Sequence, residues 1–491
     1  MLFTTAVFAY LFLPIAMVGF FAAARVSHLA AASWLFAASV FFYGYWMPEF
    51  TLLLLASICG NFAIGMRIAR APRPAAKYWM VFGVAANLLL LGWFKYANFF
   101  VDNLNAALGT QLDIGRVLLP IGISFFTFTQ IAFLADAYQK GVREYKFSHY
   151  GLFVTYFPHL IAGPVLHHAQ MMPQFGDART YRWSAANFAG GLAIFALGLF
   201  KKVVLADGIS PYADAVFKPV DAGLEPNLHE AWLGALAYTF QLYFDFSGYS
   251  DMAIGLSWMF NVRLPFNFNS PYRALNISDF WRRWHMSLSN FLRDYLYIAL
   301  GGNRHGPLRR YLNLGVTMLL GGLWHGANWT FVFWGGLHGF YLIINHGFRA
   351  VCGEKRLARL GRSHVFVLAS WTLTMLAVVV AWVFFRAESF GGAGRMLLGM
   401  AGLSGGSSGS HPLLWEAGLH LSTGAWWCAL LGVLAFLAPN SNRIGSHLLE
   451  VCQGHVTARG VIGGASLAAA LLLVLVNTAR DSVSAFIYFN F

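Results

Sequence analysis

A histidine in the middle of a long apolar stretch, which contains no formally charged residue, could transfer protons. No Lys, Arg, Asp or Glu occurs between Arg310 and Arg349, and His325 lies inside this stretch among several glycines. An ionisable side chain at membrane depth is costly and therefore marks a candidate functional site. Since histidine titrates near neutrality, we predict that His325 is a catalytic acid or base. The alternative is a core histidine that is satisfied by a neighbouring carbonyl group.

Two residues near His325 extend this candidate site. Asn328 follows three positions later, where its amide could orient the imidazole or donate to an oxyanion. His338 is a weaker candidate of the same kind. The glycines around His325 should loosen the helix, which membrane proteins tolerate mainly where the backbone lines a cavity.

A second polar segment, residues 280–295, contains His285 and Ser289. These two residues would share one face of a helix because they are four positions apart. Guanidinium groups bind phosphate well, so the arginines here and just downstream could attract a polyphosphorylated ligand on the cytoplasmic side. The alternative is an interfacial helix whose arginines reach towards water. The candidate arginines are Arg282, Arg283, Arg304, Arg309 and Arg310.

Acidic residues and further histidines give less specific signals. Asp245 and Asp251 interrupt an apolar run, and they could line an aqueous tunnel or form a buried structural network. His159, which lies between two prolines, is expected to cap or pack. His167 and His168 are adjacent but have no third ligand at a useful spacing, so we predict no metal site.

The composition predicts that membrane-spanning helices position these side chains. The 491 residues are 58% hydrophobic and 11% charged, against about 25% charged in a soluble domain. Stretches of about 20 apolar residues indicate an all-α polytopic membrane protein with about twelve spans. The segments 149–168 and 285–300 are apolar but interrupted, and we interpret them as re-entrant or interfacial. The predicted spans lie near 2–22, 30–46, 50–66, 78–98, 117–137, 186–206, 232–258, 311–328, 330–349, 366–386, 423–438 and 460–477.

The net charge of +13 is explained by the loops. Basic residues accumulate in cytoplasmic loops of membrane proteins, so we predict no nucleic-acid partner. Placing the basic loops inside puts both termini outside after twelve crossings. We find no internal repeat and no large soluble insertion, and we predict one domain over 1–491. The tail 480–491 contains four aromatic residues in its last six positions. It should dock in a groove of this protein or a partner, or serve as an interfacial anchor.

Six segments together resemble the membrane-bound O-acyltransferase (MBOAT) family, and within it the bacterial members that acetylate alginate, cellulose and peptidoglycan. The resemblance implies tilted helices around a central tunnel in a bacterial inner membrane. It also implies acetyl-coenzyme A as the acyl donor and a periplasmic acetyltransferase partner beside polysaccharide-synthesis machinery. The segments are 94–99, 118–125, 160–164, 245–251, 280–295 and 321–328.

The same resemblance implies roles for individual residues. His325 matches the catalytic histidine of the family, and His285 matches its second signature position. Tyr488 matches an acyl-relay tyrosine, although relatives often carry Gln where this chain has Asn490. We therefore predict O-acetylation of an exopolysaccharide of alginate or cellulose type, with peptidoglycan as the alternative acceptor. A transporter or polysaccharide-export channel without acyl-transfer chemistry is the competing class, and a scaffold for a polymer synthase is a third interpretation.

Overall fold

The computed structural model describes residues 2–144, 146–161, 163–404, 412–479 and 486–487, and these are helices joined by turns and loops, without a strand. The all-α prediction is therefore confirmed. The helices of the first half of the chain are α1 (Leu13–Ala24), α2 (His28–Trp46), α3 (Pro48–Arg70), α4 (Arg73–Leu91), α5 (Ala97–Leu108), α6 (Ile123–Gln139), α7 (Phe147–Thr155), α8 (Phe157–Leu160), α9 (His168–Gly176), α10 (Ala185–Phe200) and α11 (Asp207–Asp221).

The second half begins with the 32-residue helix α12 and continues through ten more helices. Some helices continue into short π-helical segments, of which Lys201–Ala206 and Leu292–Tyr297 matter below. The helices are α12 (Leu228–Met259), α13 (Ile277–Trp281), α14 (Met286–Phe291), α15 (Gly306–His325), α16 (Trp329–Leu360), α17 (His364–Arg386), α18 (Phe390–Met400), α19 (Pro412–Glu416), α20 (Leu421–Leu437), α21 (Ser441–Gly454) and α22 (Val456–Thr478).

Fewer helices meet the length and apolarity of a membrane span than the sequence predicted. Every predicted span overlaps a helix, but only seven helices of the described residues qualify, or eight if the bent pair α20–α21 counts as one span. The helix α6 has 17 residues and is short for a crossing. The helices α12, α15 and α16 carry buried polar or charged side chains, which lower their apolarity. The twelve-crossing topology, with both termini outside, stays a prediction.

The seven qualifying segments are Val7–Ala24, His28–Trp46, Pro48–Arg70, Arg73–Leu108, Ala185–Asp221, His364–Arg386 and Val456–Thr478. The chain is thus a multi-pass membrane protein. The segments predicted to be re-entrant or interfacial are broken into short helices, α7 to α9 in one and α14 in the other.

The contacts of the chain divide it into two compact units. One comprises Met1–Phe200, Gly248–Phe266 and Ser441–Asn490, and the other comprises Lys201–Ser247 and Asn267–Asn440. Helix α12 contributes residues to both. The prediction of one domain over 1–491 stays a prediction.

Hydrogen bonds between side chains link four helices of the first unit. Asn61 and Asn87 bond reciprocally, with nitrogen–oxygen distances of 3.2 and 2.6 Å. Asn61 also donates to Ser57, which accepts from Gln130, which in turn accepts from Tyr150. This series of hydrogen bonds runs from Asn87 on α4 to Tyr150 on α7. Because lipid offers no hydrogen-bond partner, such contacts stabilise helix association in membranes.

Helices α15 and α16 pack closely in the second unit, and glycines permit their approach. A Cβ atom at Gly322 would overlap the carbonyl oxygen of Phe331, and one at Gly335 would overlap that of Met318. The backbones therefore meet where any larger residue would separate them. The expectation that these glycines loosen the helix was wrong, since α15 continues through Gly321 and Gly322 to His325.

Candidate active site

His325 is the last residue of α15, and aromatic rings surround its imidazole. Its side chain is 3% exposed. The ring centroids of Trp324, Trp334 and Phe385 lie 4.9, 5.0 and 5.2 Å from the imidazole centroid. We call these three rings the aromatic cage. They come from α15, α16 and α17, so the α15–α16 packing described above fixes the place of the imidazole.

His285 lies just before helix α14, in a left-handed backbone conformation with φ 42° and ψ 54°. The expectation that His285 and Ser289 share a helix face was wrong, because α14 begins only at Met286. The Ser289 hydroxyl instead donates to the carbonyl of Trp284 at 3.3 Å. A non-glycine residue with positive φ is uncommon and suggests a constrained position.

Asn267 orients this turn, and sequence reasoning did not identify it. Its Oδ1 atom accepts from the backbone amide and the hydroxyl of Ser287, at 3.1 and 2.8 Å. The same oxygen lies 3.3 Å from Nδ1 of His285. The ring of Phe246 meets the imidazole edge-on, with centroids 4.7 Å apart. His285 is fully buried, so both contacts restrict its ring.

The two histidines are brought together by the fold. The centroids of the His285 and His325 imidazoles lie 6.5 Å apart, with the ring planes at 63°. This separation is short enough for both imidazoles to contact one small molecule between them. The structure therefore brings the two predicted site histidines together, and their catalytic roles stay predictions.

Asn328 has both ends of its side-chain amide engaged. It is the N-cap of α16, with Oδ1 accepting from the amide of Thr330 at 3.0 Å. Its Nδ2 atom donates to the carbonyl of Glu388 at 2.9 Å. These bonds give Asn328 a clear structural role, and its predicted contribution to an oxyanion site stays a prediction.

The five candidate arginines differ in their surroundings. Arg283 pairs with Asp279 at 2.9 Å, and Arg310 contacts His346 at 2.9 Å. Arg282, Arg304 and Arg309 are exposed. Exposed guanidinium groups can bind phosphate, and the assignment of all five to ligand binding stays a prediction.

Asp245 forms a buried ionic triad, and its partner Lys202 was missed in the sequence. The Nζ atom of Lys202 lies 2.6 Å from Asp245 and 2.8 Å from Asp207, and all three side chains are under 10% exposed. Lys202 belongs to the π-helical segment that follows α10. The triad favours the structural interpretation of Asp245. Asp251, six residues later on α12, is buried as well.

His159 and His338 fit packing roles. The Nε2 atom of His159 lies 3.0 Å from the carbonyl oxygen of Phe153, as expected for a packing residue. His338 is fully buried, and its Nδ1 accepts from the indole of Trp281 at 3.3 Å. Within the described ranges, His, Cys, Asp and Glu side chains form no group of three that could hold a metal ion.

The C-terminal tail is described at Phe486 and Ile487 only, and Tyr488 lies outside the described residues. Phe486 is 1% exposed and stacks on Tyr249 of α12, with centroids 4.4 Å apart. Tyr249 stacks in turn on Phe3 at 4.9 Å. This part of the tail therefore docks within the protein itself.

Sequence comparison decides the family. The profile of MBOAT, the membrane-bound O-acyltransferase family, matches residues 87–383, which include both site histidines. The chain belongs to this family. It is therefore a membrane-bound acyltransferase, and family membership favours that class over a transporter, an export channel or a scaffold.

Named relatives agree with this assignment. The chain is 39% identical to the peptidoglycan O-acetyltransferase of Helicobacter pylori, over 100% of this chain and 98% of the relative. It is 45% identical to the probable alginate O-acetylase of Azotobacter vinelandii, over 82% of this chain and 78% of the relative. A teichoic acid D-alanyltransferase of Bacillus subtilis is 28% identical over 54% of this chain. O-acetyltransferases thus recur among the relatives that cover most of the chain.

Proposed function

We propose that this protein takes the acetyl group of cytoplasmic acetyl-coenzyme A and passes it across the bacterial inner membrane for O-acetylation of an exopolysaccharide. The observation that carries the proposal is the buried pair of His285 and His325, 6.5 Å apart, in a chain of this family. The alginate O-acetylases among the relatives support an acceptor of alginate or cellulose type.

His325 is the general base in this mechanism. Its neutral imidazole takes the proton of an acceptor hydroxyl as the hydroxyl oxygen attacks the thioester carbonyl. The tetrahedral intermediate then expels the thiolate of coenzyme A, and the imidazolium returns its proton to that sulfur. A positioned base typically contributes about 10²–10⁴-fold to the rate.

The other predicted site residues assist this step. His285 orients the acceptor or the thioester from its place beside His325. Asn328 or a backbone amide stabilises the oxyanion. Arg282, Arg283, Arg304, Arg309 and Arg310 attract the phosphates of coenzyme A on the cytoplasmic side.

The acceptor hydroxyl belongs to Tyr488, which gives an acyl-tyrosine that a periplasmic acetyltransferase partner then uses beside the polysaccharide machinery. Phe486, two residues before Tyr488, is docked on Tyr249.

Peptidoglycan is the second candidate acceptor. The peptidoglycan O-acetyltransferase of Helicobacter pylori matches 100% of this chain, whereas the probable alginate O-acetylase of Azotobacter vinelandii matches 82% of it. Measuring the acetyl content of purified cell wall and of exopolysaccharide, from strains with and without this gene, distinguishes the two acceptors. Loss of acetyl groups from the exopolysaccharide alone supports the first candidate, and loss from the wall alone supports the second.

Mass spectrometry of the purified full-length protein, incubated with acetyl-coenzyme A, tests the mechanism. We expect wild type to carry an acetyl adduct on its C-terminal peptide, and His325→Ala and Tyr488→Phe to lack it. Release of coenzyme A without an adduct would keep the enzyme class and place the acceptor elsewhere. Normal acetylation by His325→Ala, with the variant present in the membrane, would refute the catalytic assignment.

A further inference from the structure

The second unit carries a large apolar groove outside the histidine site. Its volume is about 980 Å³, and one face each of α12, α17 and α20 lines it. Helix α17 directs a different set of side chains, including Phe385, towards His325. The groove is therefore separate from the reacting groups. Lining residues used below are Phe240, Trp371, Ala425, Ala429, Phe436 and Leu437.

The length of the groove fits a chain that lies along the membrane normal. Its lining runs from the first to the last residue of α20, which has 17 residues and is thus about 25 Å long. A bilayer has a hydrocarbon core of about 30 Å. Ala425 and Ala429 are exposed towards the groove, and their small side chains leave its floor open. An extended acyl chain has the length and the apolarity to fill such a space.

A cation lies next to one end of the groove. Phe240, Trp371 and Phe436 cluster there, with Phe436 6.1 Å from Phe240 and 5.2 Å from Trp371 between ring centroids. The guanidinium of Arg273 donates to the carbonyl of Ala438, directly after α20. Its Nε atom is buried and has no hydrogen-bond partner among the described residues. None of the ion pairs found in that part of the chain includes Arg273.

The charge pattern predicts that the cationic end of the groove faces the cytoplasmic leaflet. Trp371 lies two turns into α17, and α17 follows the basic segment 355–362 at the end of α16, which the charge pattern predicts to be cytoplasmic. The cytoplasmic leaflet is the one whose anionic lipids attract basic groups. Arginine binds phosphate oxygens through charge-assisted hydrogen bonds.

From this geometry we infer that the groove is a binding site for one anionic diacyl phospholipid. An acyl chain lies along α20 between α12 and α17, and the headgroup phosphate binds Arg273. The lipid fills a space that protein side chains leave open, and it acts outside the acyl-transfer step. Its binding therefore does not depend on the proposed function.

Native mass spectrometry of the full-length protein in detergent tests this inference, with phosphatidylglycerol and phosphatidylcholine as probes. Wild type should retain phosphatidylglycerol in preference to phosphatidylcholine. Ala429→Phe fills the groove and should reduce retention of phosphatidylglycerol about tenfold or more, the scale expected when a buried apolar chain is excluded. The matched control Leu430→Phe places the same ring on the same helix, outside the groove lining, and should bind as wild type.

Charge is tested separately. Arg273→Gln should reduce phosphatidylglycerol binding about tenfold and abolish the preference over phosphatidylcholine, because a charge-assisted hydrogen bond is lost. Arg273→Lys keeps the charge and should keep the preference for phosphatidylglycerol. Arg362→Gln, in the basic segment 355–362, should change neither the binding nor the preference. Equal binding by Ala429→Phe and wild type would overturn the site. The lipid assignment would also be overturned if Ala429→Phe instead abolished a dimer of this chain, or displaced a bound apolar molecule that carries no phosphate.

Discussion

A single side-chain oxygen, Oδ1 of Asn267, holds both Ser287 and the turn that carries His285. Removing it leaves the buried amide and hydroxyl of Ser287 without that acceptor, and an unsatisfied buried group costs about 1–3 kcal/mol. We expect Asn267→Ala to lower kcat about tenfold or more with a small change in KM, because the catalytic geometry shifts rather than the donor affinity. Acetyl-coenzyme A turnover measures both constants.

Two comparisons make the Asn267 prediction specific. Asn269→Ala alters an exposed amide in the same loop and should leave kcat unchanged. The double variant Asn267→Ala/Ser287→Ala should raise the activation free energy by less than the sum of the two single variants, because the two residues share one interaction. Strict additivity would contradict the positioning role.

The triad of Lys202 predicts a large loss of stability when one partner is removed. Lys202→Met leaves Asp207 and Asp245 buried without their cation, and breaking a buried pair costs about 3–5 kcal/mol. Thermal unfolding of the purified protein should show a lower midpoint. Lys218→Met, which removes a 66% exposed lysine from its pair with Asp214, should have a minor effect.

A further variant separates charge from volume in the triad. Lys202→Met with Asp207→Asn and Asp245→Asn removes all the charges and should recover much of the midpoint lost by Lys202→Met alone. If Lys202→Met unfolds at the wild-type temperature, the triad makes no net contribution to stability.

Close packing at Gly322 predicts sensitivity to a single methyl group. Gly322→Ala should push α16 away from α15, displace His325 and reduce turnover, because the added Cβ overlaps the Phe331 carbonyl. Gly347→Ala adds the same atom to α16 in open space and should be neutral or slightly stabilising, since alanine favours helix. Turnover normalised to folded protein compares them, and equal activity would refute the packing argument.

The stack of Phe486 on Tyr249 predicts that an aromatic ring, rather than a hydroxyl, docks the tail. Phe486→Ala loses the stack, worth about 0.5–1.5 kcal/mol beyond its buried area. We expect faster proteolysis of the tail and less acetyl adduct on Tyr488. Tyr249→Phe keeps the ring and should match wild type, whereas Tyr249→Leu should resemble Phe486→Ala. An intact adduct in Phe486→Ala would show that the stack is dispensable for relay.

Sequence reasoning identified the elements of the site whose signals are local. His325 was found because its own surroundings are apolar, and His285 because it lies in a recognisable motif. Asn267 and Lys202 were missed because their partners Ser287 and Asp245 lie far along the chain, where no spacing rule applies. The expected alignment of His285 with Ser289 failed because the left-handed conformation at His285 starts the helix one residue later.

The aromatic cage around His325 bears on how much acyl donor is lost to hydrolysis. A base that reached bulk water would activate water as readily as an acceptor, and each such event would hydrolyse a thioester to no purpose. Trp324, Trp334 and Phe385 surround the imidazole and exclude water from the space that they fill. If His325 is the proposed base, these rings favour transfer of the acetyl group to a hydroxyl over hydrolysis of the thioester.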